Sequence, residues 1–391
     1  MKSKWEYKTL GDVVSFVADG DWIESRYQSD NGFRLIQTGN IGNGIFKAKE
    51  DKPHYISEKT FDELKCTEIF KGDCLISRLP DPIGRACIIP DFGSRMITAV
   101  DCTILRFKDF VLPKFFVLYS QSDKYGKEIG KKTTGSTRKR ISRKNLENIP
   151  IPVPPKDEQQ RIVAELDLLT SIIDKQNAQL KELDTLAQSI FYDMFGDPIE
   201  NPKGWEVKKF QEACYEIGDG LHGTPKYDSN GSFAFINGNN LIGGRIVITD
   251  KTQFVNDDEA KKIFVSLNEN TVLLSINGTL GKTALYNNEK VVLGKSACYC
   301  KLKDILLSKF VISLMNTDKF QLFLENNSSK STIKNVGLKA IRNYDMIIPP
   351  LALQQIFADK IQSIEKQKTA VNQSIAETQK LLDYTMDKYF G

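Results

Sequence analysis

Ile149-Pro-Ile-Pro-Val-Pro-Pro-Lys-Asp-Glu-Gln-Gln-Arg-Ile162 is a passage from extended chain into helix. A residue that precedes proline is pushed towards extended geometry, whereas proline itself suits the first turn of a helix. Asp157 and Glu158 stand where the helix dipole favours anions. From Ile162 onward the apolar residues alternate in steps of four and three: Ile162, Leu166, Leu169, Ile173, Gln176, Leu180, Leu183, Ala187, Ile190 and Met194. Only Gln176 in that series is polar, and the spacing is that of a coiled-coil seam. Gly196 and Asp197-Pro198 supply a stop. At about 1.5 Å per residue the helix over 156–195 spans roughly 60 Å.

The same passage is written a second time. Pro154-Pro155, Gln159-Gln160 and Phe195-Gly196 match Pro349-Pro350, Gln354-Gln355 and Phe390-Gly391, all at an offset of 195 residues. Upstream, Trp5-Glu-Tyr-Lys-Thr-Leu10 lines up with Trp205-Glu-Val-Lys-Lys-Phe210 at an offset of 200. Asp19-Gly20 matches Asp219-Gly220, and Phe33-Arg-Leu-Ile-Gln-Thr-Gly-Asn40 matches Phe233-Ala-Phe-Ile-Asn-Gly-Asn-Asn240. Leu75-Ile-Ser77 matches Leu273-Leu-Ser275, Ile83-Gly-Arg85 matches Leu280-Gly-Lys282, and Ser136-Thr137 matches Ser331-Thr332. The order is kept throughout, so the chain is an internal duplication. The five-residue difference falls inside the globular parts, and the register is unbroken from the double prolines onward.

Each copy predicts a mixed α/β or α+β domain followed by a long helix. Runs such as Cys74–Ser77, Cys102–Phe107 and Val272–Ile276 read as strands, and 57–65 and 111–122 as short helices. The divisions are 1–154 and 205–349 for the globular domains, 155–196 and 350–391 for the long helices, and 197–204 for a linker. The second helix carries a rougher seam, with Phe357, Ile361, Ile364, Val371, Ile375 and Leu382 interrupted by Lys368, Thr378 and Thr385. A stripe this long exceeds what one domain can cover, so each helix is the simplest partner of the other. A pseudo-twofold arrangement favours an antiparallel coiled coil. Linker helices with no ruler role are the plain alternative, but the equal lengths of the two helices speak against it.

Bulk composition narrows the function. The 391 residues are 40% hydrophobic and 27% charged, with a net charge of +4. No apolar run reaches membrane-spanning length, and the N-terminus lacks the apolar stretch of a signal peptide, so no membrane partner is expected. Seven cysteines without a Cys-x-x-Cys pair support neither a disulfide framework nor a zinc site, and suit reduced thiols in a cytoplasmic protein. His54 and His222 stand at unmatched positions, which leaves no histidine-dependent triad or metal site. Gly278-Thr-Leu-Gly-Lys-Thr283 is no phosphate loop, because Ile276 stands where the leading glycine belongs. The triplets Glu63-Leu-Lys65 and Glu259-Ala-Lys261 are chance products of a charged chain. Neither an Asn-Pro-Pro-aromatic nor an Asp-Pro-Pro-aromatic tetrad of an amino-methyltransferase occurs.

Charge placement is more informative. Nine basic residues and one acid lie between Lys124 and Lys144, around Thr133-Thr-Gly-Ser-Thr137. Lys131, Lys132, Ser136, Thr137, Arg138, Lys139 and Arg140 combine charge, hydroxyl and main-chain donors, which suits a phosphate backbone. In the second copy Lys330, Ser331, Thr332 and Lys334 take their place. A solvated face is the plain reading of any charge run, but the repeated Ser-Thr ahead of each helix counts against it. Arg78, Arg85 and Lys282 are weaker candidates for base edges, and Gln37, Asn40, Asn237 and Asn240 carry amides able to pair with adenine or simply to build turns.

Domain, helix, domain, helix, with each helix announced by Ile149-Pro-Ile-Pro-Val-Pro-Pro-Lys-Asp-Glu-Gln-Gln-Arg-Ile162 or Ile347-Ile-Pro-Pro-Leu-Ala-Leu-Gln-Gln-Ile356, resembles the specificity subunit of Type I restriction–modification systems. The resemblance covers the whole chain. It implies two target-recognition domains that each read one half of a bipartite sequence in double-stranded DNA, spaced by an antiparallel coiled coil. It further implies two methyltransferase subunits docked on the chain and a restriction translocase–nuclease subunit that joins them. S-adenosylmethionine would sit on the methyltransferases, with no cofactor on this chain and no catalysis by it. The second copy departs from the pattern at Leu351-Ala-Leu353, where the first has Lys156-Asp157-Glu158. Two other readings stay open at this point: a standalone bivalent DNA-binding or scaffold protein without a methyltransferase partner, and an enzyme with catalytic residues of an unfamiliar kind.

Overall fold

The structure, a computed structural model, describes residues 5–136 and 138–391. It divides into two compact units, Met1–Lys175 with Ser374–Gly391, and Gln176–Gln373.

The first unit is built on a four-stranded antiparallel sheet in the order Val14–Asp19, Cys102–Phe107, Cys74–Ser77, Ala86–Ile88. Its central strands are mostly apolar and are buried at all but the last two positions of Cys102–Phe107, for a reason. Successive side chains in a strand point to opposite faces, and here both faces are covered. Cys74, Ile76 and Leu105 join one core, with the helix Pro113–Tyr119. Leu75, Cys102 and Ile104 join another core, beneath a five-stranded sheet whose central pair, Phe33–Ile36 and Met96–Thr98, is parallel. A two-stranded latch, Glu6–Thr9 against Pro150–Val153, closes the unit and delivers the chain to the double proline.

The second unit repeats the plan. Cys214–Asp219, Ala297–Leu302, Thr271–Ser275 and Thr283–Leu285 form the same antiparallel order. Val272, Leu274, Cys298 and Cys300 again face one core, and Leu273, Ala297 and Tyr299 the other. Phe233–Ile236 pairs in parallel with Val291–Leu293, and Glu206–Lys209 latches to Asp345–Ile348. The copies differ at the sheet edges. The second unit extends its main sheet to six strands with Gly244–Ile246 and Leu241–Ile242, and its other sheet has three strands.

The first long helix runs Lys156–Phe195 and the second Leu351–Phe390. Gly196 ends the first in the left-handed region, with φ +78. Each helix is fastened at its start by a buried glutamine. Gln159 Oε1 accepts from the Leu112 amide at 2.8 Å, while its Nε2 donates to the carbonyls of Phe110 at 2.8 Å and Pro154 at 2.9 Å. Gln354 repeats the set with the Leu307 amide at 2.8 Å and the carbonyls of Ile305 at 3.0 Å and Pro349 at 2.8 Å.

Within the second unit the helices run antiparallel. Asp184 meets Lys368 at 2.9 Å, and further along Phe191 and Phe195 pack on Phe357. Within the first unit Arg161 Nη1 donates to the Tyr389 hydroxyl at 3.0 Å. Ile162, Leu166 and Phe390 share a core there, with Leu382 and Met386 against it. The seam shifts phase at the end of the first helix. Phe191 and Phe195 are fully buried, and Ile190 and Met194 lie beside them, partly covered. A straight helix drifts by about 20° per heptad from a 3.5-residue repeat, and the large rings at the drifted positions turn into the globular core.

Candidate nucleic-acid interface

Each unit projects a hairpin from the same place. In the first, the helix Asp123–Lys132 ends and the chain doubles back, with the Thr134 amide bonded to the Arg140 carbonyl at 2.9 Å and the reverse bond at 2.8 Å. Gly135 turns the loop at φ +105, where a Cβ would lie 2.5 Å from the Arg138 carbonyl oxygen. In the second unit the Ser329 amide donates to the Asn335 carbonyl at 2.9 Å, 195 residues on. There the loop is stiffened by hydroxyls: Ser329 and Ser331 bond to each other at 2.8 Å, and Ser331 donates to the Ile333 carbonyl at 2.6 Å. Both hairpins are tied to the main sheet. The Ile141 amide donates to the Arg78 carbonyl at 3.3 Å, and the Val336 amide to the Ile276 carbonyl at 2.9 Å.

The basic cluster divides by what its members hold. Arg138 and Lys139 are exposed at the hairpin tip, with no ion pair or side-chain hydrogen bond among the described residues, and Ser136 is exposed beside them. Thr137 lies outside the described residues. Arg140 is drawn down to Asp101 at 3.1 Å, Lys131 to Glu128 at 2.6 Å, and Lys132 donates to the Asn148 carbonyl. In the second unit Lys330 and Thr332 are exposed, and Lys334 lies 4.0 Å from Glu325.

Below the second hairpin lies a depression of about 590 Å³ lined by Asn237, Asn277, Lys295, Ser296, Ile333 and Asn335. The structure thus brings Asn237 to the foot of the Ser331-Thr332 hairpin. The Asn237 Oδ1 accepts from Ser296 Oγ at 2.9 Å. Sequence reasoning missed Asn277, Lys295, Ser296, Ile333 and Asn335. For Ile333 a signal existed: it stands where the first copy has Arg138. Gln37, the counterpart of Asn237, is half-buried in the first unit.

Four candidates are corrected by their burial. Asn40 accepts from the Gln37 amide at 2.9 Å and donates to the Lys47 carbonyl at 2.9 Å. Asn240 does the same with the Asn237 amide and the Val247 carbonyl, both at 3.0 Å. These amides hold turns and are not offered to a base. Arg85 is buried, and its guanidinium donates to the carbonyls of Ile41, Leu79, Pro82 and Thr38 at 2.6–2.9 Å. Arg78 is buried between the Val100 carbonyl and Asp19, and that burial holds its guanidinium below the usual arginine range. Lys282 lines a different, wide groove of about 1370 Å³ in the second unit.

Among the described residues no group of three or more His, Cys, Asp or Glu side chains is placed to hold a metal. No described helix is long and apolar enough to cross a membrane. The seven cysteines are free and buried.

A model of the Type I restriction modification DNA specificity domain matches residues 2–184 and again 202–380. The MjaIX specificity subunit of Methanocaldococcus jannaschii, a Type I restriction enzyme component, is 24% identical over 98% of this chain and 92% of its own length. The StySPI specificity subunit of Salmonella potsdam is 20% identical over 74% of this chain and 67% of its own. Among solved structures, a chain of a type I R-M system described for its complex assembly and conformational transition superimposes with a TM-score of 0.60 at 20% identity, over 99% of this chain and 97% of that one. The S subunit of a Type-I restriction-modification system from M. genitalium gives 0.55 at 13% identity, over 99% and 96%.

Proposed function

The chain belongs to the Type I restriction modification DNA specificity family, and we propose that it is the subunit that chooses the DNA target of such a system. Each globular unit reads one half of an asymmetric bipartite sequence, and the long helices set the unread spacer and dock two methyltransferase subunits. A restriction translocase–nuclease subunit joins that complex. S-adenosylmethionine binds to the methyltransferases, the specificity chain supplies no catalytic group, and the complex works on DNA in the cytoplasm.

The observation that carries this reading is the pair of equivalent hairpins. They stand on the same frame, keep Ser-Thr and a following lysine, and differ in the other exposed side chains. Hydroxyls and lysines suit phosphates, which position a protein without reading sequence, whereas the variable side chains can read bases. A scaffold protein gives no reason for a constant phosphate-binding character beside a varied tip.

Co-expression with the methyltransferase of the same system, followed by sequencing of the methylated sites, tests the proposal. The expected result is co-purification with two methyltransferase chains and one bipartite motif. Lengthening both helices by one heptad, about 10.5 Å at 1.5 Å per residue, should widen the spacer by about three base pairs and leave both half-sites unchanged. Altered half-sites in that variant would sink the ruler role.

A further inference from the structure

We infer that residues 138 and 333 are equivalent base-reading positions. Arg138 selects a guanine in one half-site, and Ile333, with the asparagines beneath it, selects an A·T pair in the other. The inference rests on the proposed DNA-reading function and adds which side chains carry the sequence choice.

The argument begins with the alignment of the two loops. Ser136, Thr137 and Lys139 recur as Ser331, Thr332 and Lys334, so the loops share what a phosphate backbone needs. Between those constant residues stands one position that changes in kind, from a cation to a branched hydrocarbon. Ile333 is 64% exposed at the tip of an otherwise polar hairpin. Its carbonyl is held by the Ser331 hydroxyl at 2.6 Å, which fixes the turn that presents the side chain. An exposed isoleucine on a stiffened loop gains nothing from water, and the methyl group of thymine is an apolar feature of the major groove that it can cover.

The surroundings agree with that choice. Asn277 and Asn335 share the depression with Ile333. The Asn335 backbone amide donates to the Ser329 hydroxyl at 3.1 Å, while the side-chain carboxamides of both make no hydrogen bond among the described residues. Paired donor and acceptor groups of this kind match the N6 and N7 edge of adenine. In the first unit the position of Asn335 is taken by Arg140, which is drawn to Asp101 at 3.1 Å. That leaves Arg138 as an exposed guanidinium with no ion pair among the described residues, and its fork matches O6 and N7 of guanine.

The test is methylome mapping of the complex with its methyltransferase, for the natural chain and for Arg138→Ile, Ile333→Arg and Ile333→Ala. The natural motif should hold a guanine in one half and an A·T pair in the other. Arg138→Ile should relax that guanine, and Ile333→Arg should relax or change that A·T pair, each in its own half only. Ile333→Ala should lower methylation of the original sites roughly tenfold, within the range of one lost base contact. Unchanged motifs and rates in the Ile333 variants would overturn the inference, as would changes of both variants in the same half. Loss of assembly in both Ile333 variants would also overturn it, because an exposed reading side chain has no packing role. A natural chain that directs methylation to no bipartite site removes the underlying function as well, and so is told apart from a failure of these two positions.

Discussion

Gln159 and Gln354 show how little of a residue's work is visible in its letter. Both belong to a Gln-Gln pair, but only the first glutamine is buried, and it ties one backbone amide and two backbone carbonyls to the helix start. Gln159→Leu takes the partner from one buried and two part-buried backbone groups. A buried group left unpaired costs about 1–3 kcal/mol and the part-buried two cost less, so the first unit should lose about 2–4 kcal/mol. Gln160 is exposed, and Gln160→Ala should change stability by no more than about 0.5 kcal/mol. Urea unfolding of both variants checks the pair, and equal losses would discard the clamp. The cysteines make a second residue-scale prediction. Burial raises the thiol of Cys66 to about 11 and those of Cys87 and Cys102 to about 12, so thiolate is scarce at neutral pH. A thiol reagent should find almost none of the seven in the native protein and all seven in denaturant.

At the scale of elements, Lys368 is the charged one of the three residues that interrupt the seam of the second helix. Its ammonium is held 2.9 Å from Asp184 and 2.9 Å from Glu365. Burial lowers its proton affinity, but the two carboxylates outweigh burial and leave the affinity raised. A raised folded value means that the pair stabilises the second unit fully below the unfolded lysine value of about 10.4. That contribution is lost as pH rises through the higher folded value. Lys368→Met leaves Asp184 and Glu365 without their cation and, because both carboxylates are solvent-exposed, should cost no more than about 1 kcal/mol at pH 7. Above about pH 10.5 the natural protein should lose stability that the variant keeps, a difference read from thermal midpoints across pH. The long helices were legible because forty residues of periodicity leave little choice. The sheets were not, because short apolar runs say which residues are buried but not which strand lies beside which. Arg85 and Asn40 show the same limit at the candidate site. Arginine and asparagine are the chemistry of base reading and also of fastening loops, and burial alone separates the two uses.

At the scale of the molecule, the helix of each copy begins in one unit and ends in the other, so that the last residues of the chain complete the first unit. Phe390 is 2% exposed, with ring centroids 6.4 Å from Trp5, 5.5 Å from Phe115 and 5.7 Å from Tyr119. Phe195 plays the same part in the second unit, 4.8 Å from Phe310, and the indole of Trp205 donates to its carbonyl at 2.8 Å. Matching Phe-Gly pairs close the two copies, and this packing explains why the register is kept to the last residue: each ring must arrive at a core already shaped to receive it. A substitution next to the C-terminus should therefore unfold the beginning of the chain. Phe390→Ala removes a buried ring from an aromatic cluster and should cost about 3–5 kcal/mol. Hydrogen exchange should quicken along Cys102–Phe107 and Pro113–Tyr119, two elements of the first unit. The strand Ala297–Leu302 of the second unit should keep its protection. Phe195→Ala should give the reverse pattern, with the second unit loosened and the first intact. Loss of protection confined to the last turns of the second helix in Phe390→Ala would mean that the ring is an ornament of the terminus and not part of the first unit's core.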